Sequence, residues 1–394
     1  MIRLGVVGYG NRADVFLRNA LLPAAAESSG LTIAGIVSHD EAEVRLRLPL
    51  EYKNVSFYSD IEKMLSLAKL DALFVGTRCN SHAEIAIELL KYGLPIFLEK
   101  PVAISMEQAL ALEDAAFRTD TPVLVSFPLR ASPLCGLARE ILRSGAVGTP
   151  LHILTHNYVP YGTVYWERFY RNYALSGGLF LQKASDEFDV MMNLMNSTIT
   201  RVGAMKLHSG MFGGDKPDDL RCSVCEDRQD CLESPGRRKQ NQSGGSLEDH
   251  PCVFSVACGT VDTGTNEEAS NALLEFQSGA QGVFTQVFFS RRDAAKRGSI
   301  ISGYEGTLDF DWLRNDLVLV KHHSPFTHRV LAGESQSHFG GDLVLAHNFV
   351  NMIVRNEAPL ANLVDGLRSV YVCLAAREAA QTASFRVVRQ PGQL

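Results

Sequence analysis

No stretch of the 394 residues approaches the ~18 uninterrupted apolar residues that a membrane-spanning helix needs. Long basic runs and basic arms are missing as well. Lys and Arg number 38 against 44 Asp and Glu, a net charge of −6. That balance argues against nucleic acid as the main partner. The chain shows no charged-then-apolar leader of secretory type, because Met1-Ile2-Arg3 runs directly into an apolar strand. The expected compartment is therefore the cytosol, where the 8 cysteines would be reduced or metal-bound rather than paired. Internal repeats and low-complexity segments are also lacking. What is present is an ordinary balance, 46% hydrophobic and 21% charged, in a chain long enough for two or three domains.

The first third reads as alternating strands and helices. Leu4-Gly5-Val6-Val7 is a continuous apolar run, suited to a strand buried on both faces. Gly8-Tyr9-Gly10-Asn11-Arg12-Ala13 follows, and then a helical pattern through Phe16, Leu17, Ala20 and Leu21. This is G-x-G-x-x-A between a strand and a helix, the context a dinucleotide fingerprint requires. Gly8 permits the tight turn, Gly10 lets backbone approach a pyrophosphate, and Ala13 keeps the helix close to the strand. Asn11 begins the helix, whose amides face the phosphates, and Arg12 supplies a counter-charge. The second strand, Thr32 to Val37, should end in the acidic residue that holds the ribose 2′-hydroxyl of NAD. Ser38 and His39 stand there instead, with Asp40 two places late. Ser38 can bond a hydroxyl or a phosphate oxygen, and His39 suits a phosphate when protonated. NADP is thus as well matched as NAD.

A third strand, Asp71 to Gly76, ends in Thr77-Arg78-Cys79-Asn80-Ser81-His82; a fourth, Leu94 to Leu98, ends in Glu99-Lys100-Pro101. Ser105-Met106-Glu107-Gln108 is a capping box, and Pro122 to Phe127 is another strand. Strand–helix alternation predicts a doubly wound parallel sheet.

Gly8-Tyr9-Gly10-Asn11-Arg12, Asn80-Ser81-His82 and Glu99-Lys100-Pro101-Val102 occur in order, and this set resembles the glucose–fructose oxidoreductase / inositol dehydrogenase (Gfo/Idh/MocA) family. The resemblance implies an α/β protein. An N-terminal Rossmann domain, residues 1–127, would precede a C-terminal α/β domain, residues 128–394, built on an open, mostly antiparallel sheet. It implies NAD(P)-linked redox chemistry on a sugar, cyclitol or related small molecule, with Lys100 contacting substrate and nicotinamide ribose. Thr77, Asn80, His82 and Glu99 join the expected cofactor contacts. A homodimer or homotetramer assembled through the C-terminal sheet is also implied.

The segment from Tyr158 to Tyr173 is aromatic-rich, with Tyr161, Tyr165, Trp166, Phe169 and Tyr170 between them. It suits the wall of a sugar or nicotinamide pocket and equally suits core packing. A helix is expected over Leu179 to Met195, with Gln182, Asp186, Asp189 and Asn193 along one polar face. The family's helix carries a His followed three residues later by an Asp. Asp189 matches that Asp, but Asp186 stands at the His position and Gln182 at an acidic position one turn earlier. Imidazole, titrating near 6.5, suits proton transfer at neutral pH better than a carboxyl near 3.9. Lys100, Asp186 and Asp189 are the candidate catalytic residues. A polar insertion at about 214–252 carries Cys222, Cys225, Cys231 and Cys252, whose C-x2-C start suggests a structural zinc. Ser234 to Asp249 reads as mobile. Two other functions stay open: a glycosidase or lyase using transient oxidation by bound NAD, and a non-catalytic cofactor-binding paralogue.

Overall fold

The computed structural model describes residues 1–208, 210–259, 266–331 and 337–393. The chain divides into two compact units. One comprises residues 1–135 with the described parts of 335–371 and 390–394; the other comprises the described parts of 136–334 with 372–389.

The first unit is built on six strands: β1 Ile2–Val7, β2 Leu31–Val37, β3 Phe57–Tyr58, β4 Ala72–Val75, β5 Ile96–Leu98 and β6 Val123–Val125. Their order is β3-β2-β1-β4-β5-β6, and every pairing is parallel. β4 and β5 are buried along their whole length, as expected for central strands covered on both faces. Phe16, Phe74 and Phe97 stack beneath the helix that follows β1, with Phe16 and Phe97 ring centroids 4.4 Å apart. Phe349, from the helix Gly341–Arg355, closes this cluster edge-on, 5.5 Å from Phe97. That helix lies so close that a β-carbon on Gly341 would overlap the Pro128 carbonyl.

The second unit carries nine strands: β7 Pro150–Tyr158, β8 Ile199–Leu207, β9 Ala269–Phe276, β10 Gln281–Val287, β11 Lys296–Gly303, β12 Gly306–Asp311, β13 Asp316–Lys321, β14 Thr327–Leu331 and β15 Arg386–Val387. Their order is β14-β13-β12-β11-β7-β10-β9-β8-β15. All neighbours are antiparallel except β7 and β10. The helix Ala184–Met195 packs on this sheet through Phe188, whose ring lies 4.9 Å from that of Phe284 on β10. The expected continuous helix from Leu179 is interrupted: Leu179–Gln182 is a separate turn, and Lys183, with φ −113°, caps the helix that follows. The segment expected to be mobile contains the helix Pro235–Asn241. Composition misleads there because Arg238 is 1% exposed and paired with both Glu167 and Glu233, so a polar side chain does the anchoring.

Candidate active site

In the first unit, strand ends assemble a turn open to a phosphate. Gly8 closes β1 at φ +81°, and a β-carbon there would lie 2.5 Å from Thr77 Cγ2. Only glycine meets both demands without strain. Gly10 differs, since a β-carbon there would meet nothing within 4 Å. The chain thus leaves open the approach over Gly10, as a bound pyrophosphate requires. Ala13 is buried, and its methyl lies 3.2 Å from the β-carbon position of Gly76, so helix and strand close against one another. These residues fit a dinucleotide.

The charges around this turn are largely committed within the protein. Arg12 donates to Glu99 Oε1 at 3.0 Å and to both oxygens of Asp342 at 2.7 and 2.8 Å. His338 Nδ1 lies 2.8 Å from the same carboxylate. Burial works against the Asp342 charge, but the bonds from His338 and Arg12 outweigh it and hold this carboxyl well below the usual range. Arg12, expected as a counter-charge for phosphate, is instead the hub of an ion-pair cluster. Asn11 Oδ1 accepts from Arg47 at 2.6 Å. Ser38 is half-buried and His39 exposed at the end of β2. Asp40 caps the helix Glu41–Arg47 by accepting from the Glu43 amide at 2.9 Å, which accounts for its late position.

Thr77 Oγ1 accepts from Ser81 at 2.8 Å, and the Asn80 carbonyl accepts from Gln108 Nε2 at 2.7 Å. His82 is buried, with Nδ1 2.8 Å from the Pro101 carbonyl and Nε2 3.2 Å from the Thr77 carbonyl. Burial outweighs these carbonyls and lowers its pKa, and the ring sits between the Glu99-Lys100-Pro101 turn and the Thr77 loop. Both its nitrogens face backbone, which makes His82 a brace for the turn. Glu99 is buried on Arg12, and Lys100 is half-buried beside it. Gly8, Thr77 and Glu99 follow β1, β4 and β5, three adjacent parallel strands. The three motifs therefore emerge together at the carboxyl edge of the sheet, where ligands of such folds bind.

In the second unit, the helix expected to show a polar face buries it: Asp186 is 5% exposed and Asp189 is 0% exposed. Beside Asp186, Glu187 Oε1 accepts from Arg297 Nε at 2.9 Å and Nη2 at 2.5 Å, and from Asn157 Nδ2 at 2.7 Å. Sheet register explains the grouping, because Arg297 on β11 pairs directly with Asn157 on β7. At the helix break, Lys183 Nζ donates to the Tyr161 hydroxyl at 3.2 Å. The Lys183 charge, aided by Arg297, lowers the Tyr161 pKa below its ordinary value against the opposing effects of burial and Glu187. Lys183 and Arg297 were not singled out from sequence, and Tyr161 stood only as one aromatic among seven.

The cysteine insertion departs from the zinc expectation. Among the described residues, no group of three or more His, Cys, Asp or Glu is arranged to hold a metal ion. Cys252 is buried, whereas Cys222, Cys225 and Cys231 are half-buried. Cys222 Sγ faces His250 Nε2 at 3.6 Å, while the His250 nitrogens are directed to the carbonyls of Pro251 and Glu233, at 2.9 and 3.3 Å. Burial, together with Cys231 and Cys252, pushes the Cys222 thiol up to about 12.

A parallel sheet in the order β3-β2-β1-β4-β5-β6, with an open glycine turn after β1, defines a dinucleotide-binding fold. Residues 2–127 match the oxidoreductase family with an NAD-binding Rossmann fold, and residues 136–309 match the GFO/IDH/MocA C-terminal domain. The chain is 30% identical over 246 residues to the rhizopine catabolism protein MocA of Rhizobium meliloti, a match covering 60% of this chain and 71% of that one. It is 24% identical to the scyllo-inositol 2-dehydrogenase (NAD(+)) of Bacillus subtilis over 51% of this chain and 56% of that enzyme, little more than half its length. The fold matches that of a levoglucosan dehydrogenase solved with NADH and levoglucosan, with TM-score 0.77 and 17% identity over 99% of this chain and 100% of that one. The chain belongs to the Gfo/Idh/MocA family of oxidoreductases. Among the described residues, no helix is long and apolar enough to cross a membrane.

Proposed function

We propose that the protein is an NAD(P)-dependent dehydrogenase acting on a hydroxyl-bearing carbon of a sugar, cyclitol or sugar derivative. The observation that carries this reading is the open approach over Gly10 beside the Glu99-Lys100-Pro101 strand end, both on one edge of a parallel sheet. When bound, the nicotinamide supplies the acceptor for the hydride. The Gly8–Ala13 turn holds the pyrophosphate through backbone amides, and Ser38 and His39 meet the adenosine ribose or its phosphate. Lys100 binds the substrate hydroxyl, and Glu99, fixed by Arg12, holds the turn in place. Asp186 and Asp189 are assigned to substrate hydroxyls. NAD-named and NADH-bound relatives favour NAD; the missing acidic residue at Ser38 favours acceptance of NADP as well.

The decisive variant is Lys100→Ala. Turnover on a panel of polyols and sugars should be lost, while NAD(H) affinity by fluorescence titration stays within about threefold, roughly 0.6 kcal/mol. Full activity of the variant would sink the assignment. We further infer cytosolic residence and assembly through the second sheet. Met205, Leu273 and Val387, on β8, β9 and β15, are 73%, 55% and 79% exposed there. Light scattering that returns a monomer would remove the assembly.

A further inference from the structure

The nucleotide site of the first unit has a second end, where the adenosine ribose lies against the close of β2. β1 and β2 run parallel with Val7 opposite Val37, and the Gly8 amide donates to the Val37 carbonyl at 2.8 Å. The glycine turn and Ser38 therefore leave the sheet side by side. From Ser38 the chain soon enters the helix Glu41–Arg47. Arg47 stands in its last turn, and helical side chains slant back toward the N-terminus. Its guanidinium is thus returned toward the strand end. There Nη2 donates to Glu43, and Nη1 donates to Asn11 Oδ1 at 2.6 Å. Asn11 directly follows Gly10, and the Arg47 charge also acts on the hydroxyl of Tyr9, between the two glycines.

Other cations around the turn are occupied. Arg12 is held by Glu99 and Asp342, and Arg18 by Asp14. Arg47 is held more loosely. Its carboxylate partner Glu43 is 55% exposed, and a solvated pair of this kind is weak. Asn11 is neutral. Among the described residues, these bonds leave Nε and further terminal hydrogens of Arg47 to a ligand, in the planar fork that matches phosphate oxygens. A carboxylate at the end of β2 would repel a phosphate there; Ser38 does not.

Resting on the dinucleotide site of the dehydrogenase reading, we propose that Arg47 is the specificity-determining residue for the cofactor, binding the 2′-phosphate of NADP(H), which this protein prefers to NAD(H). Asn11 is the positioning residue that holds the guanidinium on the rim between the turn and Ser38. The Ser38 hydroxyl donates to the same phosphate. Glu43 competes for Arg47 and keeps it when no phosphate is present.

Calorimetric titration of the full chain with NADPH and with NADH reads the site without turnover. NADPH should bind about 10–100-fold more tightly, the gain that charge-assisted bonds to one phosphate provide. That ratio should shrink as salt rises. Arg47→Ala should abolish most of it by weakening NADPH, with NADH affinity kept within about threefold. Arg47→Lys, a point charge without the fork, should retain part of it. Glu43→Gln should tighten NADPH and leave NADH unchanged, a gain that misfolding cannot mimic. In competition, 2′,5′-ADP should displace NADPH better than 5′-AMP does, and Arg47→Ala should erase that advantage. Wild-type protein that binds NADH as tightly as NADPH, or an Arg47→Ala protein that loses both equally, overturns the proposal and leaves the dehydrogenase reading standing. The expected ratio with no alcohol oxidised supports Arg47 and overturns the dehydrogenase reading alone. A chain that binds neither nucleotide overturns both.

Discussion

Both units place a guanidinium next to buried carboxylates, and they use it differently. In the first unit, Arg12 is held by Glu99 and Asp342, so the charge nearest the glycine turn is neutralised inside the protein. The turn is left to work through backbone amides and open space. In the second unit, Glu187 neutralises Arg297, and beside that pair an ammonium is bonded to a phenol. The first arrangement fixes a shape. The second conditions the chemistry of one hydroxyl. Ion pairs that look alike in the sequence of a single chain can therefore fix a turn in one place and shift the titration of a neighbouring hydroxyl in another.

This contrast can be broken most forcefully at Glu187. Glu187→Ala removes the partner of a buried guanidinium and should cost about 3–5 kcal/mol of stability in denaturant unfolding. If Arg297 is structural, as argued, the loss appears as stability. A stable variant with only an altered pH profile would transfer Arg297 to the reactive side of the comparison. The glycine turn gives the next effect. Gly8→Ala adds a β-carbon to a left-handed residue with Thr77 in its way and should destabilise by about 1–3 kcal/mol. Gly10→Ala should leave the melting temperature unchanged yet weaken NAD(H) binding, because its β-carbon meets only the space meant for phosphate. Equal effects of the two substitutions on binding and melting would remove the distinction between turn-forming and ligand-facing glycine. The smallest effect belongs to Asp40. Asp40→Ala should cost about 1 kcal/mol through the lost helix cap, with the NAD to NADP affinity ratio unmoved. A change in that ratio would return Asp40 to the cofactor site.

What sequence made legible was local. The Gly8-to-Ala13 turn, the capping of Met106–Ala116 by Ser105 and the alternation of strands and helices depend on neighbours within a few residues. What stayed hidden depends on partners far along the chain. Glu187 meets Arg297 only because β7 and β11 align Asn157 opposite Arg297. The commitment of Arg12 to Asp342 spans an even longer separation. Lys183 was hidden for a different reason. A regular helix from Leu179 would have carried its side chain round with the others, and the break that turns it to Tyr161 has no sequence marker such as proline or glycine. His82 belongs to a motif that suggests ligand contact, and only the backbone carbonyls on both sides of its ring show it as a brace.

The cysteine-bearing insertion has one more consequence. It leaves the sheet after Leu207 on β8 and returns at Ala269 on β9, and those two residues are paired opposite each other. An excursion whose ends are already stitched together can lengthen at slight entropic cost, since loop closure grows only with the logarithm of length. Descent with modification can therefore enlarge, trim or replace this segment while every strand keeps its register. For lineages sharing this architecture, the β8–β9 junction is a docking port for novelty, where new recognition elements can be tried without renegotiating the fold.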